Sequence, residues 1–138
     1  MNSTKITIQA TVSANRQKVW DYYTKPEHIT KWNFAADTWH CPTASNDLKV
    51  GGKYAARMEA KDGSFGFDFE AIYSEIIVGE KFSYAMADNR CVDASFKQIG
   101  DKTIVTITFD AENENPAEVQ QSGWQSILNN FKKYTESN

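Results

Sequence analysis

The chain has two histidines, His28 and His40, and two cysteines, Cys41 and Cys91. His40-Cys41 is the one adjacent pair of soft metal ligands. A zinc site draws on about three or four ligands at recurring spacing. His28 and Cys91 supply no such spacing, so no metal is expected. No G-x-S-x-G elbow and no cysteine in a protease-like context offers a nucleophile. Gly51-Gly52 leads into a strand rather than a helix, so it gives no helix N-terminus for a phosphate. Neither residue pattern implies a cofactor. Cys41 and Cys91 lie far apart and read as free thiols, with a disulfide as the alternative.

Carboxylates are the remaining route to acid–base chemistry. Asp68 and Glu70 alternate with Phe67 and Phe69, so the two acids share the opposite face of one strand. With the aromatic face turned inward, both acids are solvated and inert. In the reversed register they would face an apolar interior, where desolvation raises a carboxyl pKa into the range of a general acid or base. Arg57 and Glu59 pose the same question on the preceding strand.

The aromatic residues form a larger candidate set. The chain contains eight Phe, six Tyr and four Trp, 13% of its residues. Such rings fill cores, and they also line small-molecule cavities. Tyr54, Met58, Phe67, Phe69, Tyr73, Tyr84, Met86 and Phe96 form the expected inner face of the strands. Trp124, Leu128 and Phe131 face them from a helix, and Trp32, Phe34 and Trp39 come from an entrance region. These are the expected ligand-binding residues, and no catalytic residue is assigned.

Elements of three kinds must position them. Ile6, Ile8, Ala10 and Val12 alternate with polar residues, which predicts a first strand. Ser13 is placed to cap a helix through Val19, Trp20 and Tyr23. That helix ends before Pro26, and Pro26 starts a second short helix ending near Trp32. Trp39 to Ser45, interrupted by Pro42, predicts an edge strand or irregular segment. Four further strands follow: from Val50-Gly51-Gly52 through Met58, then 65–78, 81–87 and 91–99. The last runs over 103–110. Tight turns at Asp62-Gly63, Gly79-Glu80, Asp88-Asn89 and Gly100-Asp101 join them into an antiparallel meander. The paired glycines predict a bulge or a close backbone approach. A long amphipathic helix closes the chain, with Asn115 as cap, Pro116 in the first turn and a stripe of Val119, Gly123, Ile127, Phe131 and Tyr134.

The bulk numbers narrow the function. At 138 residues the chain reads as one domain, 1–138. A net charge of −3 without a dense basic cluster speaks against nucleic acid. No apolar run reaches the roughly 20 residues of a membrane span. The first residues alternate and lack a signal-peptide core, so a cytoplasmic location is expected.

Three segments carry a resemblance. They are Val-Trp-Asp-Tyr-Tyr-Thr-Lys-Pro-Glu-His-Ile-Thr-Lys-Trp at 19–32, Leu-Lys-Val-Gly-Gly-Lys-Tyr at 48–54, and Ser-Gly-Trp-Gln-Ser-Ile-Leu-Asn-Asn-Phe at 122–131. In this order they resemble the activator of heat-shock-protein-90 ATPase homologue family, within the START and polyketide cyclase (SRPBCC) superfamily. The resemblance implies an α+β helix-grip fold: a curved antiparallel sheet of six or seven strands around a long C-terminal helix, with two short helices after the first strand. It implies a hydrophobic or amphipathic small molecule, lipid-like in character, held between sheet and helix without chemistry. It leaves open a cyclase or dehydratase using a cavity carboxylate or tyrosine, and a chaperone-associated interaction module.

Overall fold

Alternating burial along each strand sets the architecture of the computed structural model, which describes residues 4–138. Strand β1 (Lys5–Val12) buries every second residue, and its apolar side chains Ile6, Ile8, Ala10 and Val12 all point to the core. Helices α1 (Arg16–Thr24) and α2 (Pro26–Trp32) follow. Then come β2 (Trp39–Asn46), β3 (Lys53–Ala60), β4 (Gly66–Ile77), β5 (Lys81–Met86), β6 (Cys91–Ile99) and β7 (Lys102–Asp110). Helix α3 (Ala117–Ser137) closes the chain.

The strands form one antiparallel sheet in the order β1-β7-β6-β5-β4-β3-β2. The meander from β2 to β7 is completed by β1, which pairs with β7 from Lys5↔Asp110 to Val12↔Thr103. β2 is an edge strand, as Pro42 predicts, and its register shifts between His40 and Thr43. A second register shift, between Tyr73 and Glu75, interrupts the β4–β5 pairing. The sheet curls around the helices. α3 packs chiefly on β1, α1 on β6 and β7, and α2 on β2. This is the helix-grip fold.

Helix starts differ from expectation at two places. Asn15, not Ser13, caps α1: its side chain accepts a hydrogen bond from Lys18 N at 2.9 Å. The backbone N–H of Ser13 instead donates to the Glu136 carboxylate. At α3 the cap position is Pro116, without a side-chain cap, and the helix opens at Ala117. Asn115 is drawn away because its backbone and side chain both donate to Glu112 Oε1. Buried Gln120 then ties the connection together, accepting from Glu112 N and donating to Asn115 O.

The buried stripe of α3 is correspondingly shifted. Val119 is 57% exposed, whereas Gln120, Leu128, Phe131 and Thr135 are buried. Trp124, Ile127 and Tyr134 pack beside them. Phe131 is fully enclosed, with its ring 4.9 Å from Tyr23 and 5.0 Å from Trp32, both edge-on. Burial of a ring of this size contributes about 1.5–3 kcal/mol.

The glycines divide. A Cβ on Gly52 would collide with the backbone carbonyl of Asp47, so the expected close approach is present. A Cβ on Gly123 would meet nothing within 4 Å, so no close packing requires this helix glycine. Gly123→Ala therefore raises the unfolding free energy by about 1 kcal/mol through lower chain entropy and better helix propensity. Gly52→Ala lowers it by roughly 1–3 kcal/mol. Denaturant melts of the two variants check both signs.

Candidate functional site

Because the three helices cover the two flanks of the sheet, the concave face of β3, β4 and β5 is left facing a cavity of about 250 Å³. Its sheet wall is built from Tyr54 and Met58 on β3, Phe67 and Phe69 on β4, and Tyr84 and Met86 on β5. Alternation puts each pair on one face. Ile8 of β1 and Ile107 of β7 extend this wall. The helical wall is Tyr23, Trp32, Asn33, Trp124, Ile127 and Leu128. Arg90, in the turn between β5 and β6, completes the lining as its one charged residue.

Packing between rings holds the walls rigid. Trp124 stacks on Phe109 with centroids 3.9 Å apart and planes 11° apart. Across the cavity, Trp124 meets Phe69 edge-on at 6.5 Å. Tyr54 lies 5.8 Å from both Phe69 and Tyr84. Mouth-side rings are more open: Phe67 is 42% exposed and touches Trp39, which also meets the exposed Phe65.

Besides the Arg90 guanidinium and the indole N–H groups of Trp32 and Trp124, the polar side-chain groups on this lining are three phenols and one amide. Asn33 Nδ2 donates to Tyr54 Oη at 3.3 Å. Burial pushes the phenols of Tyr23, Tyr54 and Tyr84 well up, and neighbouring tyrosines add to the effect. Tyr73 is likewise pushed up by burial, to about 12, and its hydroxyl donates to Asn46 Oδ1 at 2.8 Å. All four are therefore neutral at pH 7.

Residues 13–136 match the family model described as "Activator of Hsp90 ATPase homolog 1-like protein". The chain belongs to this family. An AHSA1-like protein from Aeromonas hydrophila, solved by solution NMR, is 40% identical, with a TM-score of 0.91 over 97% of this chain and 93% of that one. A protein from Cytophaga hutchinsonii is 48% identical, with a TM-score of 0.83 over 97% and 93%. CalU16 from Micromonospora echinospora shares the fold at 16% identity, with a TM-score of 0.74 over 96% of this chain and 76% of that one. None of the curated proteins matches.

Within this helix-grip framework, the expected binding residues separate into two groups. Trp32, Tyr54, Met58, Phe67, Phe69, Tyr84, Met86, Trp124 and Leu128 come together around the cavity. Phe34, Trp39, Tyr73, Phe96 and Phe131 do not line it. Phe34 sits in a separate surface groove beside Asn130. Trp39 packs outside against Phe65 and Phe67. Tyr73 is buried, with its hydroxyl held by Asn46. Phe96 lies against Trp20 at 5.2 Å and Tyr23 at 5.5 Å, and Phe131 fills the space under α1 and α2. Ile8, Tyr23, Asn33, Arg90, Ile107 and Ile127 were not foreseen. The strand and helix patterns already placed Ile8, Ile107, Tyr23 and Ile127 on inner faces, but Asn33 and Arg90 carry no signal in the sequence.

No carboxylate lines the cavity among the described residues. Asp68 and Glu70 point away from it, paired with Arg57 at 3.4 Å and Lys53 at 3.2 Å. Arg57 also binds Glu59 at 2.9 Å, which lies 3.6 Å from His40. His28 stacks on Tyr22 and shares a 2.8 Å hydrogen bond with the Tyr134 hydroxyl. Cys41 is buried and Cys91 exposed, both as free thiols. Among the described residues no three His, Cys, Asp or Glu side chains gather around a metal-sized site, and no helix is long and apolar enough to cross a membrane.

The raised tyrosines make stability depend on alkaline pH. Unfolded tyrosines lose their protons near pH ~10. The folded chain holds those of Tyr23, Tyr54, Tyr73 and Tyr84 above that value. Between the two values the folded state binds more protons. Stability is therefore complete below pH ~10 and falls as pH rises toward the folded values. Chemical denaturation in steps above pH ~9 should show this decline, with the tyrosinate absorbance of these four residues appearing together with unfolding rather than before it.

Proposed function

We propose that the protein binds an apolar or amphipathic small molecule in the cavity between the sheet and α3 and releases it unchanged. The observation that carries this reading is the cavity itself: about 250 Å³, walled mainly by aromatic and aliphatic side chains, with an amide, three phenols and one guanidinium among its polar groups. Ligand sites have this composition. The volume lies just under the ~300–1,000 Å³ of drug-sized sites. It suits a ligand of one or two rings, or a short chain, better than a sterol. An apolar molecule entering it gains roughly 25 cal/mol for each Å² of apolar surface removed from water.

The enzyme reading has less support. Asp68 and Glu70, the acids that might have served it, face the other side of the sheet in ion pairs. A chaperone-associated module is favoured by one feature, the exposed rings of Phe65 and Phe67 packed on the half-buried Trp39. Phe67 is also part of the cavity wall, so this patch reads equally as the cavity rim.

Amide and methyl NMR spectra titrated with fatty acids, sterols, flavonoids and fused aromatics test the proposal. Shifts clustered on Met58, Met86, Trp124 and Leu128 are expected, strongest for the smaller aromatics. Met58→Trp, which fills the lumen, should abolish them while the fold persists. A folded protein that shows no shift with any member of the panel would overturn the reading.

A further inference from the structure

The hydroxyls inside the cavity are unequally engaged. Tyr54 Oη accepts from Asn33 and keeps its own proton to donate. Tyr23 and Tyr84 line the cavity, and their hydroxyls have no hydrogen-bond partner among the described residues. Neither hydroxyl is sealed in protein: the one fully enclosed, unpartnered side-chain oxygen or nitrogen among the described residues is Thr135 Oγ1. Tyr84 is only 6% exposed, so the open side of its hydroxyl is the lumen. Buried tyrosines ordinarily find a partner for this group. Three phenols thus line one small space, and no hydrogen bond to a protein acceptor takes their protons among the described residues.

The charge around these phenols selects what they can hold. The groups acting electrostatically on Tyr84 are Tyr23, Tyr54 and Tyr73, and no cation is among them. These phenols are neutral donors, and they offer a buried anion no counter-charge. Arg90, the one cation on the lining, is already engaged. Its Nε lies 2.6 Å from Asp88 Oδ2, and Asp110 and Glu112 also lie in its field.

We infer that the ligand carries a neutral carbonyl-type oxygen, and that the hydroxyls of Tyr23, Tyr54 and Tyr84 read it by hydrogen bonding inside the cavity. Asn33 positions the Tyr54 hydroxyl. The remainder of the ligand is apolar and meets Phe69, Met86 and Trp124. This inference rests on the cavity-binding reading and specifies its ligand class: a small hydrophobic ketone or related carbonyl compound rather than a hydrocarbon or an acid.

Three probes of one ring system separate the possibilities: naphthalene, methyl naphthyl ketone and naphthoate. Their affinities are measured by quenching of tryptophan fluorescence and by NMR. The ketone should bind roughly tenfold tighter than either other probe, the equivalent of one neutral hydrogen bond. Its advantage over naphthalene should shrink toward unity in Tyr84→Phe and in Tyr23→Phe. It should persist in Tyr73→Phe, whose hydroxyl is already bonded elsewhere. Equal binding of ketone and naphthalene would overturn the inference and leave the cavity reading standing. So would tightest binding of naphthoate, which would assign the ligand to Arg90. If no probe binds the folded protein, the cavity reading fails and the inference fails with it.

Discussion

One wide apolar sheet face has too few helices to cover it, and most of the structure's features follow. Seven strands at the usual spacing make a sheet roughly 30 Å across. A helix covers only about 10–12 Å. Curling the sheet brings β1 against α3 and β2 against α2, and α1 covers β6 and β7. The inner face of β3, β4 and the Tyr84–Met86 end of β5 is covered least closely by the helices. Its inward side chains must then border open space, and the rows of Tyr54 and Met58, Phe67 and Phe69, and Tyr84 and Met86 are those side chains.

The same geometry separates structural aromatics from available ones. Where α1 and α2 press on the sheet, Trp20, Phe82, Phe96 and Phe131 pack edge-on or tilted with Tyr23 and Trp32, whose other sides border the cavity. This cluster holds the helices in place and so keeps the neighbouring space from collapsing. Trp124, stacked flat on Phe109, does the same at the other side. The cavity is thus a consequence of rigid packing around it. A fluid interior of the same composition would close on itself, because close-packed cores tolerate few voids.

Polar chemistry follows from this arrangement. The outer face carries the carboxylates in ion pairs with Arg57 and Lys53, where water screens them and each pair adds little to stability. The inner face carries tyrosines, whose phenols stay neutral because burial opposes their ionisation. Alternation along β4 achieves the separation: Phe67 and Phe69 turn in while Asp68 and Glu70 turn out. A slip of one residue would exchange the two sets and give the protein an acidic cavity.

Local pattern by itself determined the element types, the antiparallel meander and the two faces of each strand. These depend on side-chain alternation, turn glycines and proline, which act within a few residues. The inward turn of Phe67 and Phe69 on β4 was decided by the tertiary structure. Helix starts were less legible. Ser13 and Asn15 are equally good caps by type, and the structure starts the helix at Arg16 with Asn15 Oδ1 accepting from Lys18 N. Val119 lost its inward place to Gln120 because the loop before α3 needs that side chain. Only the tertiary structure decided which inward aromatics pack in the core and which border the cavity. Tyr73, Phe96 and Phe131 have the same alternation or helical spacing as Tyr84, Phe69 and Leu128. Their difference lies in which neighbours pack over them, and that depends on contacts between residues distant in the chain, such as β1 with β7 and Asn130 with Trp32. No local spacing records those contacts.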